Sequence, residues 1–342
     1  MSIVVAGFDL HRSQITFDAL DRESGEVRRG RIPATPPAVD EWVRRFPGRE
    51  VHVAVEAGTG WWFVHQALDG AGAVCHLAEV AETRALRGSK RRAKTDFADA
   101  RWLRILLDEG RLPEAWIPPE HICELRTRTR LRHTLAQERV AWLQRIRATL
   151  FHHGVHGAPA RLGSGEGRSF LEGLDLPAAS AERIEVCLRM IERLDQELHA
   201  LDLGLERFCR AQPGARALSD MFGVGAVTGA TILAEMGDAG RLRRSRAAVR
   251  LAGLDIGVHR SDRRERVGRL TRQGSPHLRW ALYEAAQSAC RPASPDHADY
   301  LALRGRLTHT QATLTIARKL VRRAYHTLRA LGDDALAPVP MS

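Results

Sequence analysis

The chain has 342 residues, 44% of them hydrophobic and 27% charged, a length beyond one small core and a balance that excludes a disordered or membrane-embedded polypeptide. Its 52 Lys and Arg against 41 Asp and Glu leave a formal net charge of +11, which favours a polyanion such as nucleic acid as partner over an anionic membrane surface. Five scattered cysteines with no CxxC pair exclude a disulfide framework and a cysteine zinc site.

Taken in chain order, Ile3 to Phe8, Gln14 to Leu20 and Val27 to Ile32 are short apolar and β-branched runs separated by polar turns, the pattern of three consecutive antiparallel strands. Ala38 to Phe46 reads as helix, Val51 to Val55 as strand, Trp61 to Leu68 as helix, Val74 to Leu77 as strand and Glu79 to Leu86 as helix. Strands first and then β-α-β alternation is the order expected of a ribonuclease-H-like domain, a mixed sheet flanked by helices, over residues 1–112. After Pro118 and Pro119, Leu125, Leu131, Leu135, Val140, Leu143, Ile146 and Leu150 run on without turn signals and predict a long helix. A glycine-rich loop is expected from Gly154 to Ser169, and a second helix from an N-cap at Ser180. In that helix Ile184, Cys187, Ile191, Leu194, Leu198, Leu201, Leu205 and Phe208 recur in steps of three and four for about four heptads, a coiled-coil seam. The seam fits either an intramolecular hairpin or a dimer, and defines a helical middle domain over residues 113–211. Residues 212–342 form a third, mainly helical unit. No apolar stretch reads as a membrane span or export signal, so a cytoplasmic protein is expected.

Four carboxylates stand where strands and helices end. Asp9 closes the first strand, Glu56 closes the strand from Val51, and Asp96 and Asp99 lie three apart on the first turn of a helix announced by Thr95. Acids converging this way suit one or two Mg²⁺ ions that polarise a phosphodiester. Arg84, Arg87, Lys90, Arg91, Arg92 and Lys94 precede Asp96 as a basic run that would guide a phosphate backbone. Gly223 and Gly225 form the turn of a helix-hairpin-helix-like element, where backbone N–H groups meet phosphate. Between Arg241 and Arg279 there are twelve arginines against Asp255, Asp262 and Glu265. Ser261 lies in this stretch beside Arg260, Arg263 and Arg264, with Arg269 and Arg272 beyond. Its hydroxyl becomes a nucleophile only with a base or metal to assist it, and Ser245 and Ser275 also lie among arginines.

These residues resemble the insertion-sequence 110 family of DEDD-type transposases, the bridge-RNA-guided recombinases. The likeness rests on Gly7-Phe8-Asp9-Leu10-His11, Val55-Glu56-Ala57-Gly58 and Lys94-Thr95-Asp96 with Asp99-Ala100, which are similar to the family's RuvC-like motifs. It rests further on Phe222 to Gly225, Ala252-Gly253-Leu254 with Ser261, and Gly268 to Gly274 with Leu278 to Leu282, similar to its C-terminal transposase domain. The resemblance implies that Asp9, Glu56, Asp96 and Asp99 bind Mg²⁺ and that Ser261 attacks DNA and holds it as a phosphoserine. It implies donor and target DNA, a guide (bridge) RNA encoded by the element, and a homo-oligomer, dimer or tetramer. The alternatives are a Holliday-junction-type endonuclease using metal-activated water, and a nucleic-acid-binding protein without catalysis.

Overall fold

The computed structural model describes residues 2–88, 95–261 and 264–339, in two compact units, Met1–Ile117 and Pro118–Ser342. The first opens with β1 (Ile3–Leu10), β2 (Gln14–Asp21) and β3 (Val27–Pro33), followed by α1 (Pro36–Val43), β4 (Glu50–Glu56), α2 (Trp61–Gly70), β5 (Val74–Ala78), α3 (Val80–Ala85) and α4 (Asp96–Asp108). The sheet order is β3-β2-β1-β4-β5, with β1 to β3 antiparallel and β4 and β5 parallel to β1 and to each other. The expected meander leading into β-α-β alternation is what forms.

Side-chain alternation splits this sheet into two faces with different tasks. Val4, Ala6 and Phe8 of β1, Ile15, Phe17 and Ala19 of β2, and Val51, Val53 and Val55 of β4 join Val39 and Trp42 of α1 and Val64 and Leu68 of α2 in one apolar core. The opposite face receives α4, whose Leu103 packs on Ala54 and Ala78. That approach is very close: a Cβ on Gly7 would lie 2.1 Å from the Ala100 carbonyl oxygen, so β1 needs glycine at this point for α4 to reach the sheet. Asp18, wholly buried on the α4 face of β2, accepts from Arg104 of α4 and, at 2.6 Å, from Arg29 of β3. A buried acid between two guanidiniums fixes the helix against the outer strands.

The second unit contains α5 (Glu120–His152), α6 (Gly165–Glu172), α7 (Ala178–Ala211), α8 (Pro213–Ser219), α9 (Ala226–Met236), α10 (Ser245–Leu251), β6 (Ile256–Ser261), β7 (Arg264–Leu270), α11 (Pro276–Gln287), α12 (His297–Arg304) and α13 (His309–Leu331). Helices α5 and α7 run antiparallel as a hairpin, with Arg132 paired to Asp202 and Arg139 to Asp195. The predicted stripe of α7 is the face it buries, apart from Leu201, which is half-buried. At one end of the hairpin Ile146, Leu150, Ile184 and Ile191 form a small core with Leu162 and Leu171. At the other, Leu125, Leu205 and Phe208 join the large core of α8 to α13.

Three local readings are corrected. Ser180 is not an N-cap: α7 begins at Ala178 after Pro177, whose ring suits the fixed φ of a helix start, and the Ser180 hydroxyl instead meets His153 Nε2 at 2.8 Å. The stretch expected to be loop through Ser169 turns helical at Gly165, because Ser164 caps α6 by accepting from the Gly167 N–H. Ile256–Ser261 and Arg264–Leu270 pair as the antiparallel strands β6 and β7, a strand pair that a dense arginine pattern had hidden.

Candidate active site

Asp9 and Glu56 close neighbouring parallel strands, with Phe8 and Val55 as the adjacent register pair. Counting in twos from Gly7 and Ala54 sets both acids on the face that receives α4. The Thr95 hydroxyl caps α4 by accepting from the Ala98 N–H at 3.2 Å, which starts the helix so that Asp96 and Asp99 occupy its first turn. Carboxylates there are stabilised by the unpaired N–H groups of the helix start.

These acids lie close enough together that Asp9 and Glu56 are raised by their neighbours' charges as well as by burial. Burial pushes the Asp9 carboxyl above its ordinary range, His11 opposes that, and the charges of Asp99 and Asp96 push it further up. Glu56 is raised first by burial and then by Asp9 and Asp99, against the pull of Arg87 and Arg84. His11 Nε2 lies 3.1 Å from Asp9 Oδ2 and 3.3 Å from Asp96 Oδ1. Arg31 of β3 reaches within 3.9 Å of Asp96, and Arg87 forms an ion pair with Asp99. The buried Asp99 Oδ1 is the oxygen that the Arg87 guanidinium faces.

The donor set fits a hard divalent cation. It is rich in carboxylate oxygen, the chemistry that Mg²⁺ and Mn²⁺ prefer; ligand atoms of Asp9, His11 and Asp96 lie within 4.8 Å of one another; and Asp99 Oδ1, which Arg87 faces, is a further carboxylate oxygen at the site. Sequence reasoning named the four acids but not His11 or Arg31. The signal for His11 was available, since residues two apart at a strand end share a face.

The remaining sequence-named residues lie at several separate places. Arg84 lies in α3 and Arg87 just beyond it, both acting on the acids as described. Gly223 has a φ of +85°, and a Cβ there would meet Ser288 Oγ at 2.0 Å; Gly225 caps α9, and its N–H donates to Thr228 Oγ1 at 2.9 Å. The cavity at this turn, about 290 Å³, is also lined by Asp202, Glu206 and Glu284, so carboxylates stand at the place where phosphate was expected. Arg272 is exposed with a φ of +53°. Ser261 ends β6 and pairs with Arg264 across the β6-β7 hairpin, with Arg260 and Arg269 on the same two strands; the side chains of these four lie outside the described residues, as do Lys90, Arg91, Arg92, Lys94 and Arg263 altogether.

An acidic cluster in a strongly basic chain is the setting of enzymes that act on nucleic-acid phosphates, and comparison with known proteins names the class: the chain is a DNA transposase. A transposase model of the DEDD type of IS110 elements matches residues 6–153, covering all four acids, and a second, the transposase IS116/IS110/IS902 family, matches residues 215–302. The chain belongs to the IS110 family of transposases. It is 26% identical over 291 residues, 70% of this chain and 72% of the other, to a 44.8 kDa protein of insertion element IS116 from Streptomyces clavuligerus. It is 21% identical over 298 residues, 85% of each chain, to a protein of Pseudomonas aeruginosa named "Probable family 20 transposase". Among the described residues no helix is long and apolar enough to cross a membrane.

Proposed function

We propose that this transposase cuts DNA at a ribonuclease-H-like site in which Asp9, Glu56, Asp96 and Asp99 hold Mg²⁺, and rejoins it through a covalent bond to Ser261 under the direction of a guide RNA. The observation that carries the reading is the convergence of four carboxylates, two at the ends of adjacent parallel strands and two on the first turn of α4, with burial and mutual repulsion raising Asp9 and Glu56. The sheet order β3-β2-β1-β4-β5, with its antiparallel half and parallel half, supports the ribonuclease-H-like assignment.

When bound, Mg²⁺ polarises the scissile phosphate and stabilises charge on the leaving oxygen. The chain's own residues then have distinct duties. Asp9 and Glu56 hold their oxygens on strands that cannot shift without breaking the sheet, and Asp96 and Asp99 do so on a helix locked by Gly7 and by the Asp18–Arg104 pair. Arg87 pairs with Asp99, and His11 lies against Asp9 and Asp96, beside the oxygens that would hold the cation. In transfer, the Ser261 oxygen forms a bond to phosphorus, loses its proton, and the bond from phosphorus to the departing sugar oxygen breaks, that oxygen taking up a proton. The phosphodiester energy is kept in the seryl ester, and reversal of the step on a second DNA end rejoins the strand. The reading includes a homo-oligomer acting in the cytoplasm.

Incubation of the protein with its element's flanking transcript, donor and target DNA in Mg²⁺ should yield a protein–DNA adduct that maps to Ser261. Ser261→Ala is expected to bind both nucleic acids and form none. An adduct mapped to Ser245 or Ser275 would overturn the serine assignment, and undiminished cutting without any adduct would indicate hydrolysis by water.

A further inference from the structure

Phe97 stands between Asp96 and Asp99 on the first turn of α4, and its place there has no account in folding. The helix buries Ala100, Leu103, Arg104 and Leu106, whereas among the described residues Phe97 joins none of the apolar clusters and is 37% exposed. An apolar ring left in water loses the benefit of burial, and here it does so next to the most highly charged part of the unit. One contact organises it: the Arg31 guanidinium lies over the ring, 5.2 Å from its centroid, while the same guanidinium reaches 3.9 Å from Asp96 Oδ2. Arg31 is itself half-exposed, its side chain retaining 53% of its accessible surface. Ring, guanidinium and metal-binding carboxylate therefore form one continuous surface: a flat apolar plate, a phosphate-gripping cation and the cutting centre.

We propose that Phe97 is a positioning residue that stacks an unpaired base of the DNA strand next to the scissile phosphate, with Arg31 turning from Asp96 to the adjoining phosphate as the strand enters. A base can lie flat on an aromatic plate only when its own neighbour has been moved away, so the surface selects a nucleotide unstacked from the duplex; stacking of this kind tolerates any base because each has a π face. Arg31 is suited to both positions, since a guanidinium lies flat on a ring and also grips phosphate through its forked N–H groups. This inference rests on the reading of the four acids as the cutting centre.

The test places 5-iodo-2′-deoxyuridine at each position flanking the cleavage site of the donor DNA and irradiates the complete complex with its transcript. One position should cross-link to Phe97, identified by mass spectrometry. Phe97→Ala should abolish that cross-link and weaken the apparent KM for DNA cutting by about tenfold with kcat nearly unchanged, Phe97→Trp should restore both, and Phe97→Leu, which keeps an apolar side chain but no ring, should not. Melting temperatures of the three variants matching the wild type would set aside a folding defect. Cross-linking to Phe97 from no DNA position, or only from iodouridine in the transcript, would overturn the proposal, as would a Phe97→Leu enzyme that cuts with wild-type KM. The underlying reading fails separately: if Asp9→Ala still cuts, the acids are not the cutting centre, whatever Phe97 contacts.

Discussion

The half-buried acids Asp9 and Glu56 of the first unit and the buried Glu235 of the second are held in opposite ways. In the first, Asp9 and Glu56 sit among other acids, and burial together with their neighbours' charges raises both. In the second, burial would raise Glu235 of α9 as well, but Arg130 donates to both of its oxygens at 2.7 and 3.0 Å, Ser275 donates at 2.9 Å, and Arg126 adds its charge, so its carboxyl is held below the usual range. A buried acid with its own guanidinium is internally complete and ties helices together. Acids clustered with too few cations are incomplete, and the missing charge is what a divalent ion supplies.

The largest expected difference lies in cutting. Asp9→Ala or Asp99→Asn should lower the rate of DNA cleavage by about 10³-fold, the order expected from losing several kcal/mol of charge stabilisation at the reacting phosphate, while leaving RNA binding in a filter assay intact. Glu235→Gln should leave the cleavage rate per folded molecule within about tenfold of wild type and instead cost about 2 kcal/mol of stability, the usual worth of hydrogen bonds to a charged group. If the two substitutions had the same effect on cutting, the contrast between an incomplete and a complete carboxylate site would be lost.

A second comparison concerns stability within the first unit. Asp18 is wholly buried, and Arg104 retains only 9% of its side-chain exposure, so Asp18→Ala strands a buried cation and should cost about 3–5 kcal/mol by denaturant unfolding. The same substitution should also slow cutting, because α4 carries Asp96 and Asp99. Asp18→Ala with wild-type stability would mean that the helix is held by Leu103 and Gly7 packing alone.

How much of this was legible beforehand follows from the range of each interaction. The strands of the first unit and the start of α4 were readable because alternation, the Thr95 cap and the paired acids are local signals. Asp18 and Arg104 are 86 positions apart, and no local pattern announces that they meet; an acid inside the apolar run of β2 was the only clue. The hairpin of α5 and α7 was half legible: α7 displays a regular stripe, but Leu131 and Val140 of α5 are exposed, so the partner face could not be recognised from apolar spacing. The β6-β7 hairpin was missed because arginines occupy positions on both strands that would otherwise have alternated. Phe97 was passed over because a lone aromatic between two acids has no periodicity, and its meaning depends on Arg31 arriving from β3.

The smallest expected effect is the pH dependence of the metal-free protein, and its sign separates the two environments. A carboxyl raised in the folded state keeps its proton over a window in which the unfolded chain has already lost it, so between its ordinary value and its raised one stability falls as pH rises. Asp9 and Glu56 belong to this class. Glu235, and Asp296 with its partners Arg323 and Lys319, belong to the other: their lowered carboxyls contribute stability that is present above the ordinary carboxylate value and is lost as pH falls through the folded one. Whole-protein acid melting mixes both, so the measurement compares wild type with Asp9→Asn/Glu56→Gln across the acidic range in chelator. The double variant should melt higher than wild type above the raised carboxyl values, and its advantage should shrink as the pH drops towards the ordinary carboxylate range. Adding Mg²⁺ should raise the wild-type melting temperature and leave the variant where it was, since the ion now has no acids at Asp9 and Glu56 to complete. A difference between the two proteins that stayed constant with pH, or an equal response to Mg²⁺, would show that the acids of the first unit are no more strained than Glu235 and do not wait for a cation.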